Sequence, residues 1–199
     1  MLEFFAIAAG YILGSIPAAY WIAKLRKGID IRDVGVRNMG AGAVFREVGI
    51  PEGILCTVID IGKGTAAVYV AQVMGLSEYW IWAAGFAAIV GHSFPVFIGF
   101  RGGKSVATLI GVMLPISPLT MLVVLVLIAI VWLIVRHLFT TMAIVAPFLL
   151  LTTWMVERSP HLMVYVVIVV LFIVLRAWYR LGEVKTALST VGKRRSQSG

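Results

Sequence analysis

The sequence predicts an all-α, polytopic membrane protein of about seven transmembrane helices, with the N-terminus outside and the C-terminus in the cytoplasm. Three observations carry this expectation. Hydrophobic residues make up 61% of the chain, charged residues 13%, and the mean hydropathy is +1.01, well beyond the range of a soluble domain. Apolar stretches recur near 3–21, 53–75, 79–98, 106–114, 119–135, 141–156 and 161–175. Lysine and arginine collect in the segments that an outside N-terminus leaves in the cytoplasm, where short loops concentrate positive charge.

The first stretch has the apolar character of a signal peptide. Its early charge is Glu3 and its basic cluster, Lys24, Arg26 and Lys27, comes after the apolar run, so it reads as a retained first helix. Residues 28–49 are too polar to span and too rich in glycine and apolar residues for a plain linker. They predict a loop and a short interfacial helix on the cytoplasmic face. The second and third stretches have the length of full spans. The fourth, stopped by Pro115 and Pro118, is shorter than the roughly 20 residues a straight span needs, which leaves six or seven full crossings open. The fifth, sixth and seventh stretches complete the count.

In this arrangement Lys24, Arg26, Lys27, Arg32, Arg37, Arg46, Arg101, Lys104, Arg136, Arg176, Arg180, Lys185, Lys193, Arg194 and Arg195 lie inside, Arg158 lies outside and Lys63 falls within the second span. The net charge of +8 is therefore mostly topological and calls for no nucleic-acid partner. Residues 1–188 read as one integral membrane domain. Residues 189–199, "STVGKRRSQSG", read as a disordered basic tail suited to the headgroups of anionic membrane lipids. Cys56, the single cysteine, excludes an internal disulfide.

Chemistry concentrates between the third and fourth stretches, in "GHSFPVFIGFRGGKS" (91–105). The adjacent glycines Gly102 and Gly103 let backbone amides converge on an anion. The following helix offers its positive end, and Arg101 and Lys104 supply charge-assisted bonds to phosphate oxygens. The spacing is not that of a nucleotide-binding P-loop, and a basic connector is the commoner reading of a lone Gly-Gly-Lys. His92 stands at the end of the third stretch. It has no partner at metal-ligand spacing, and His137 and His161 fall on opposite faces, so no metal site is expected. Asp60 and Lys63 lie three apart in the second span. That spacing suits a mutual ion pair as well as a ligand role for Lys63. Asn38, Gly40 and Arg46 form a further polar group in the segment 28–49.

Together these stretches resemble the PlsY family of bacterial acyl-phosphate:glycerol-3-phosphate acyltransferases, over about residues 10–176. Gly14-Ser15-Ile16-Pro17 with Lys24 is similar to the first signature, and Asp30-Ile31-Arg32 with Gly35, Asn38, Gly40, Ala41 and Arg46 to the next. Asp60, Lys63 and Gly64 look like the family's D-x-x-K-G, and residues 91–108 resemble its most specific block almost throughout. There are departures. Val36, Gly42 and Ala43 stand where the family has Ser, Thr and Asn. Ala177-Trp178-Tyr179-Arg180 stands against H-R-x-N, and Ser105 replaces a glycine.

The resemblance implies transfer of a fatty acyl group from acyl phosphate to the sn-1 hydroxyl of glycerol 3-phosphate, in the bacterial inner (plasma) membrane, with the site facing the cytoplasm. It implies no metal or organic cofactor, and a soluble enzyme that supplies the acyl phosphate. In that picture Gly102, Gly103 and Lys104 hold phosphate and stabilise developing charge, and His92 orients a substrate. Asn38 and Arg46 position the acceptor, with Ser15, Lys63, Arg101 and Ser105 as further binding groups. The departures leave an alternative: a non-catalytic membrane protein that binds or moves a phosphorylated lipid or a small phosphate.

Overall fold

The structure, a computed structural model, describes residues 1–35, 38–136 and 138–196; side chains are described up to residue 179, except those of 138 and 139. The described chain is helical. Its elements are α1 (Leu2–Ser15), α2 (Ala18–Lys27), α3 (Ala41–Glu47), α4 (Ile50–Val73), α5 (Glu78–Ser93), a 3₁₀ turn (Val96–Ile98), α6 (Val106–Ile116), α7 (Pro118–Val135), α8 (Leu138–Glu157) and α9 (Pro160–Ser196).

Six segments among the described residues are long and apolar enough to cross a membrane: Leu2–Lys27, Ile50–Val73, Glu78–Ile98, Pro118–Val135, Thr140–Glu157 and Pro160–Tyr179. α6, the predicted fourth span, has only 11 residues. That is about 16 Å of helix against a hydrocarbon thickness of about 30 Å. Two further differences from the sequence reading concern the ends of elements. The first span is broken at Ile16-Pro17, because proline has no N–H to continue the helix. The tail expected from residue 189 begins inside α9, whose helix runs on to Ser196; residues 197–199 lie outside the described residues.

Small residues set the packing of the spans. A side chain at Gly10 or Gly14 would strike the carbonyls of Ala84 and Ala88, so α1 and α5 touch backbone to backbone. α4 and α6 do the same. A Cβ at Gly64 would lie 2.4 Å from Thr108 O and one at Gly111 would meet Ile61 O, while Thr65 Oγ1 donates to Gly111 O at 2.9 Å. Close approach of this kind is how helices associate where lipid tails are as apolar as leucine. Val68, Ile89, Val112, Met113, Val166 and Val169 fill the centre, and large apolar side chains such as Leu122, Ile134, Val167 and Leu175 face outward.

The two ends of the bundle differ. At one end Phe4 meets Trp80, Tyr79 meets His161 and the Ser117 hydroxyl bonds the Glu157 carboxylate. The charges there are Glu3, Glu78, Glu157 and Arg158. At the other end lie the connections 28–49 and 94–105, with Lys24, Arg26, Lys27, Arg32, Arg46, Arg101, Lys104 and Arg136.

Candidate functional site

The site forms at the basic end, where α5 stops and the chain doubles back. Gly99 and Phe100 take left-handed backbone angles (φ 70° and 61°) that reverse the direction after the 3₁₀ turn. The following residues then run back along α5. Gly102 N donates to Ser93 O and Gly103 N to His92 O, each at 3.1 Å. Ser105 Oγ donates to Ile89 O at 2.8 Å and shares a 2.7 Å hydrogen bond with Ser93 Oγ. From Ser93 to Ile89 is about one helical turn, roughly 6 Å. The loop therefore covers in extended form part of the crossing that α6 lacks, and it does so shielded by protein, the condition under which irregular backbone is tolerated at membrane depth.

This path changes what several residues do. The sequence expects the Gly102 and Gly103 amides to hold an anion; in the structure both bond α5 carbonyls. Their glycine character is required for close approach. A Cβ on Gly102 would meet His92 O, and one on Gly103 would lie 2.2 Å from His92 Nε2 and 2.5 Å from Met39 O. Ser105, expected among the binding groups, sits at φ 61° with 1% exposure, and its hydroxyl is spent on α5. The left-handed region favours glycine, and the two hydroxyl contacts hold a serine there. Lys104, half-buried, stands just before α6, whose first-turn amides lack intrahelical acceptors.

Behind the loop lies a buried polar cluster. Lys63 Nζ is 2.8 Å from Asp60 Oδ1 and donates to Ile16 O at 3.0 Å; both side chains are 3% exposed. The ion-pair reading of Asp60 and Lys63 is thus the observed one. His92 Nδ1 stands 3.4 Å from the same Asp60 oxygen. With Met39, Ala18, Ala19 and Pro95 these groups line a small cleft beside the loop. Ser15, also expected in the site, bonds Tyr11 O within its own helix at 2.8 Å.

On the facing segment Asn38 Oδ1 is buried and accepts no hydrogen bond among the described residues. Arg46 on α3 and Arg101 on the loop are exposed. Of the positions that depart from the family pattern, Ala43 is fully buried among Ala19, Ile22, Ala23, Val44 and Cys56, and Gly42 is half-buried. Val36 and Arg37 lie outside the described residues, as does the side chain of Arg180.

Two arginines outside the predicted set of site residues take part in building the site: Arg176, which the sequence assigns only to topology, and Arg32, which it places in the second family signature. Arg176 on α9 is 7% exposed; its Nη2 donates to Ser93 O at 3.1 Å and its guanidinium lies 4.6 Å from the Phe94 ring centroid. Arg32 bonds both oxygens of Asp30, donates to Ile98 O at 2.8 Å and covers the Tyr20 ring. Its hydrogen bonds hold the Asp30 carboxyl below the usual carboxylate range. In sequence, Arg176 looks like any arginine at the end of an apolar run.

Known proteins are similar to this chain in sequence and in fold. Residues 4–186 match the family model described as glycerol-3-phosphate acyltransferase. The chain is 44% identical over 123 residues to a glycerol-3-phosphate acyltransferase of Geobacter metallireducens, covering 62% of this chain and 63% of that one. It is 45% identical over 113 residues to glycerol-3-phosphate acyltransferase 1 of Deinococcus radiodurans, covering 57% of each. The matched stretches thus span between about half and two thirds of these relatives. Crystal structures of PlsY, an integral membrane glycerol 3-phosphate acyltransferase, are similar over 94% of this chain. The glycerol 3-phosphate form has a TM-score of 0.84, 29% identity and 94% of its own length covered; the lysophosphatidic acid form has 0.82, 28% and 93%. With the family model matched over nearly its whole length, the chain belongs to the glycerol-3-phosphate acyltransferase family.

Proposed function

We propose that this chain moves a fatty acyl group from acyl phosphate to the sn-1 hydroxyl of glycerol 3-phosphate, giving lysophosphatidic acid and phosphate at the cytoplasmic face of a bacterial plasma membrane. The observation that carries this reading is the recessed glycine-rich loop. It sets Arg101, Lys104 and the amino end of α6 where lipid-facing helices meet water. There the chain of an acyl phosphate remains in hydrocarbon while its headgroup meets cations.

The hydroxyl oxygen attacks the acyl carbon, and the bond from that carbon to the phosphate oxygen breaks. Phosphate leaves with the electron pair and takes up the hydroxyl proton, so the step balances without a metal or an organic cofactor. Lys104 and the α6 amides meet the charge that develops on the acyl oxygen and on phosphate, the interactions that count most in acyl transfer. Asn38, whose buried Oδ1 awaits a donor, and Arg46 serve the acceptor. His92 lines the cleft, with Nδ1 3.4 Å from Asp60 Oδ1, and orients a substrate there. A soluble enzyme that makes acyl phosphate is the implied supplier.

The orientation follows from the basic end, which the positive-inside rule assigns to the cytoplasm. Cys56 is fully buried and gives no background, so single cysteines can report it. A cysteine near Arg101 should resist an impermeant thiol reagent in intact cells and one near Arg158 should label; the reverse pattern would put the site in the wrong compartment.

The packing of Ala43 favours a second reading. A polar position of the family pattern has been absorbed into an apolar core, as in a member that binds a phosphorylated lipid without turning it over. Purified protein given acyl phosphate, glycerol 3-phosphate and a chelator separates the two. Lysophosphatidic acid is expected, at a rate about 100-fold or more below a member that retains the Thr and Asn, the scale of losing one preorganised donor. Phosphate binding with no transfer to any phosphorylated acceptor selects the second reading.

A further inference from the structure

Stability gives no reason for the Asp60–Lys63 pair. Ionisable groups inside a membrane are expensive, and a buried pair is often replaced by apolar residues with no loss. What distinguishes this pair is the company it keeps. An ammonium has three donors. One of Lys63's is used on Asp60 Oδ1, and another reaches across to Ile16 O, the last carbonyl before the Pro17 break, which also accepts from Ala18 N at 3.1 Å. Asp60 faces the other way as well, with Oδ1 3.4 Å from His92 Nδ1 and Oδ2 3.7 Å from Cys56 Sγ. The His92 carbonyl receives Gly103 N, and its ring occupies the space a Gly103 side chain would need. One buried pair on α4 thereby touches the break in the first span on one side and the support of the glycine-rich loop on the other.

We propose that Asp60 and Lys63 are positioning residues that hold the Ile16-Pro17 break and the His92–Gly103 contact in register, and so set the loop that carries Lys104. The kinetic part of this inference rests on the acyltransferase reading; the structural part does not. In it, the pair acts through His92 and the loop, not on substrate.

The test compares wild type, Asp60→Leu/Lys63→Met and Lys63→Arg, each purified in nanodiscs. It has three readouts: thermal stability, amide exchange of residues 99–105, and kcat and KM with acyl phosphate and glycerol 3-phosphate. The double variant removes both charges and is expected to melt close to wild type. The Gly102 and Gly103 amides should nevertheless exchange about tenfold faster, and kcat should fall by about 100-fold with little change in KM, the scale of a misplacement near 1 Å. Lys63→Arg keeps the charge, and with it the ion pair, so it tests the same point if the double variant does not fold. Its planar fork does not reproduce a point donor between Asp60 and Ile16, and a smaller shift in the same direction is expected. Wild-type exchange of the loop in either folded variant overturns the proposal, as does wild-type kcat. An inactive wild type sinks the acyltransferase reading alone, because amide exchange still decides the positioning claim.

Discussion

Gly103→Ala should lower turnover by about 100-fold or more while the protein still inserts and folds. The added methyl would lie 2.2 Å from His92 Nε2 and 2.5 Å from Met39 O. Neither neighbour yields easily. Met39 O is backbone in the segment that carries Asn38, and His92 is backed by Asp60 at 3.4 Å and 7% exposed. The loop or the segment 38–40 must shift by a large fraction of an ångström, and a displacement near 1 Å at a reacting centre costs about 100-fold. Gly62→Ala is the control: nothing lies within 4 Å of its Cβ and it sits inside α4. Alanine there should be neutral or slightly stabilising, since it is the better helix former. Turnover measured on both variants decides the matter; equal rates would mean that the contact between loop and His92 has no bearing on chemistry.

The spans were legible because a bilayer leaves little choice: a segment that crosses must be apolar and helical. The short fourth stretch was legible too, as an anomaly in length. Its explanation was not. It lies in hydrogen bonds from Gly102, Gly103 and Ser105 to carbonyls of α5, and no pattern of residue types announces that a loop will run back along the helix it has just left. The same gap hid the close contacts that the glycines make. Adjacent glycines fit both an anion nest and a close backbone contact, and the geometry selects the contact.

Asp60 and Lys63 were visible as charges three apart on one helix face, a spacing that suits the ion pair observed at 2.8 Å. Pro17 was equally visible, yet the apolar run around it continues unbroken, so the sequence merges α1 and α2 into one stretch. Ser105 stood out as a departure from glycine. Only the backbone angle shows what the departure requires, and only the two hydroxyl contacts show how it is met. Arg176 was hidden by its neighbours: with Arg180 and Lys185 following, its charge looked topological, whereas its guanidinium is buried against Phe94 and Ser93.

Lys104→Ala should weaken acyl phosphate or inorganic phosphate by about tenfold or more and reduce kcat/KM further, while Lys24→Ala changes either by less than about twofold. Both residues are cations at the basic end, so a general electrostatic role would make them equivalent. Their surroundings differ. Lys24 is exposed in the last turn of α2 and its ammonium reaches Gly28 O at 3.3 Å, a helix-end contact of small energetic weight. Lys104 is half-buried between the recessed glycines and the start of α6, where low dielectric strengthens its field and the helix adds its positive end. A charge-assisted hydrogen bond is worth about 1.5 to 3 kcal/mol, which corresponds to roughly 10- to 150-fold. With the Gly102 and Gly103 amides already bonded to α5, the anion has fewer donors to draw on than the motif suggests, and Lys104 carries a larger share. Lys104→Arg separates charge from shape. It keeps the cation but enlarges the head in a confined entrance, so phosphate binding should survive better than turnover. Equal and small effects of Lys104→Ala and Lys24→Ala would reduce the loop to a basic connector and leave the phosphate to be held by other groups.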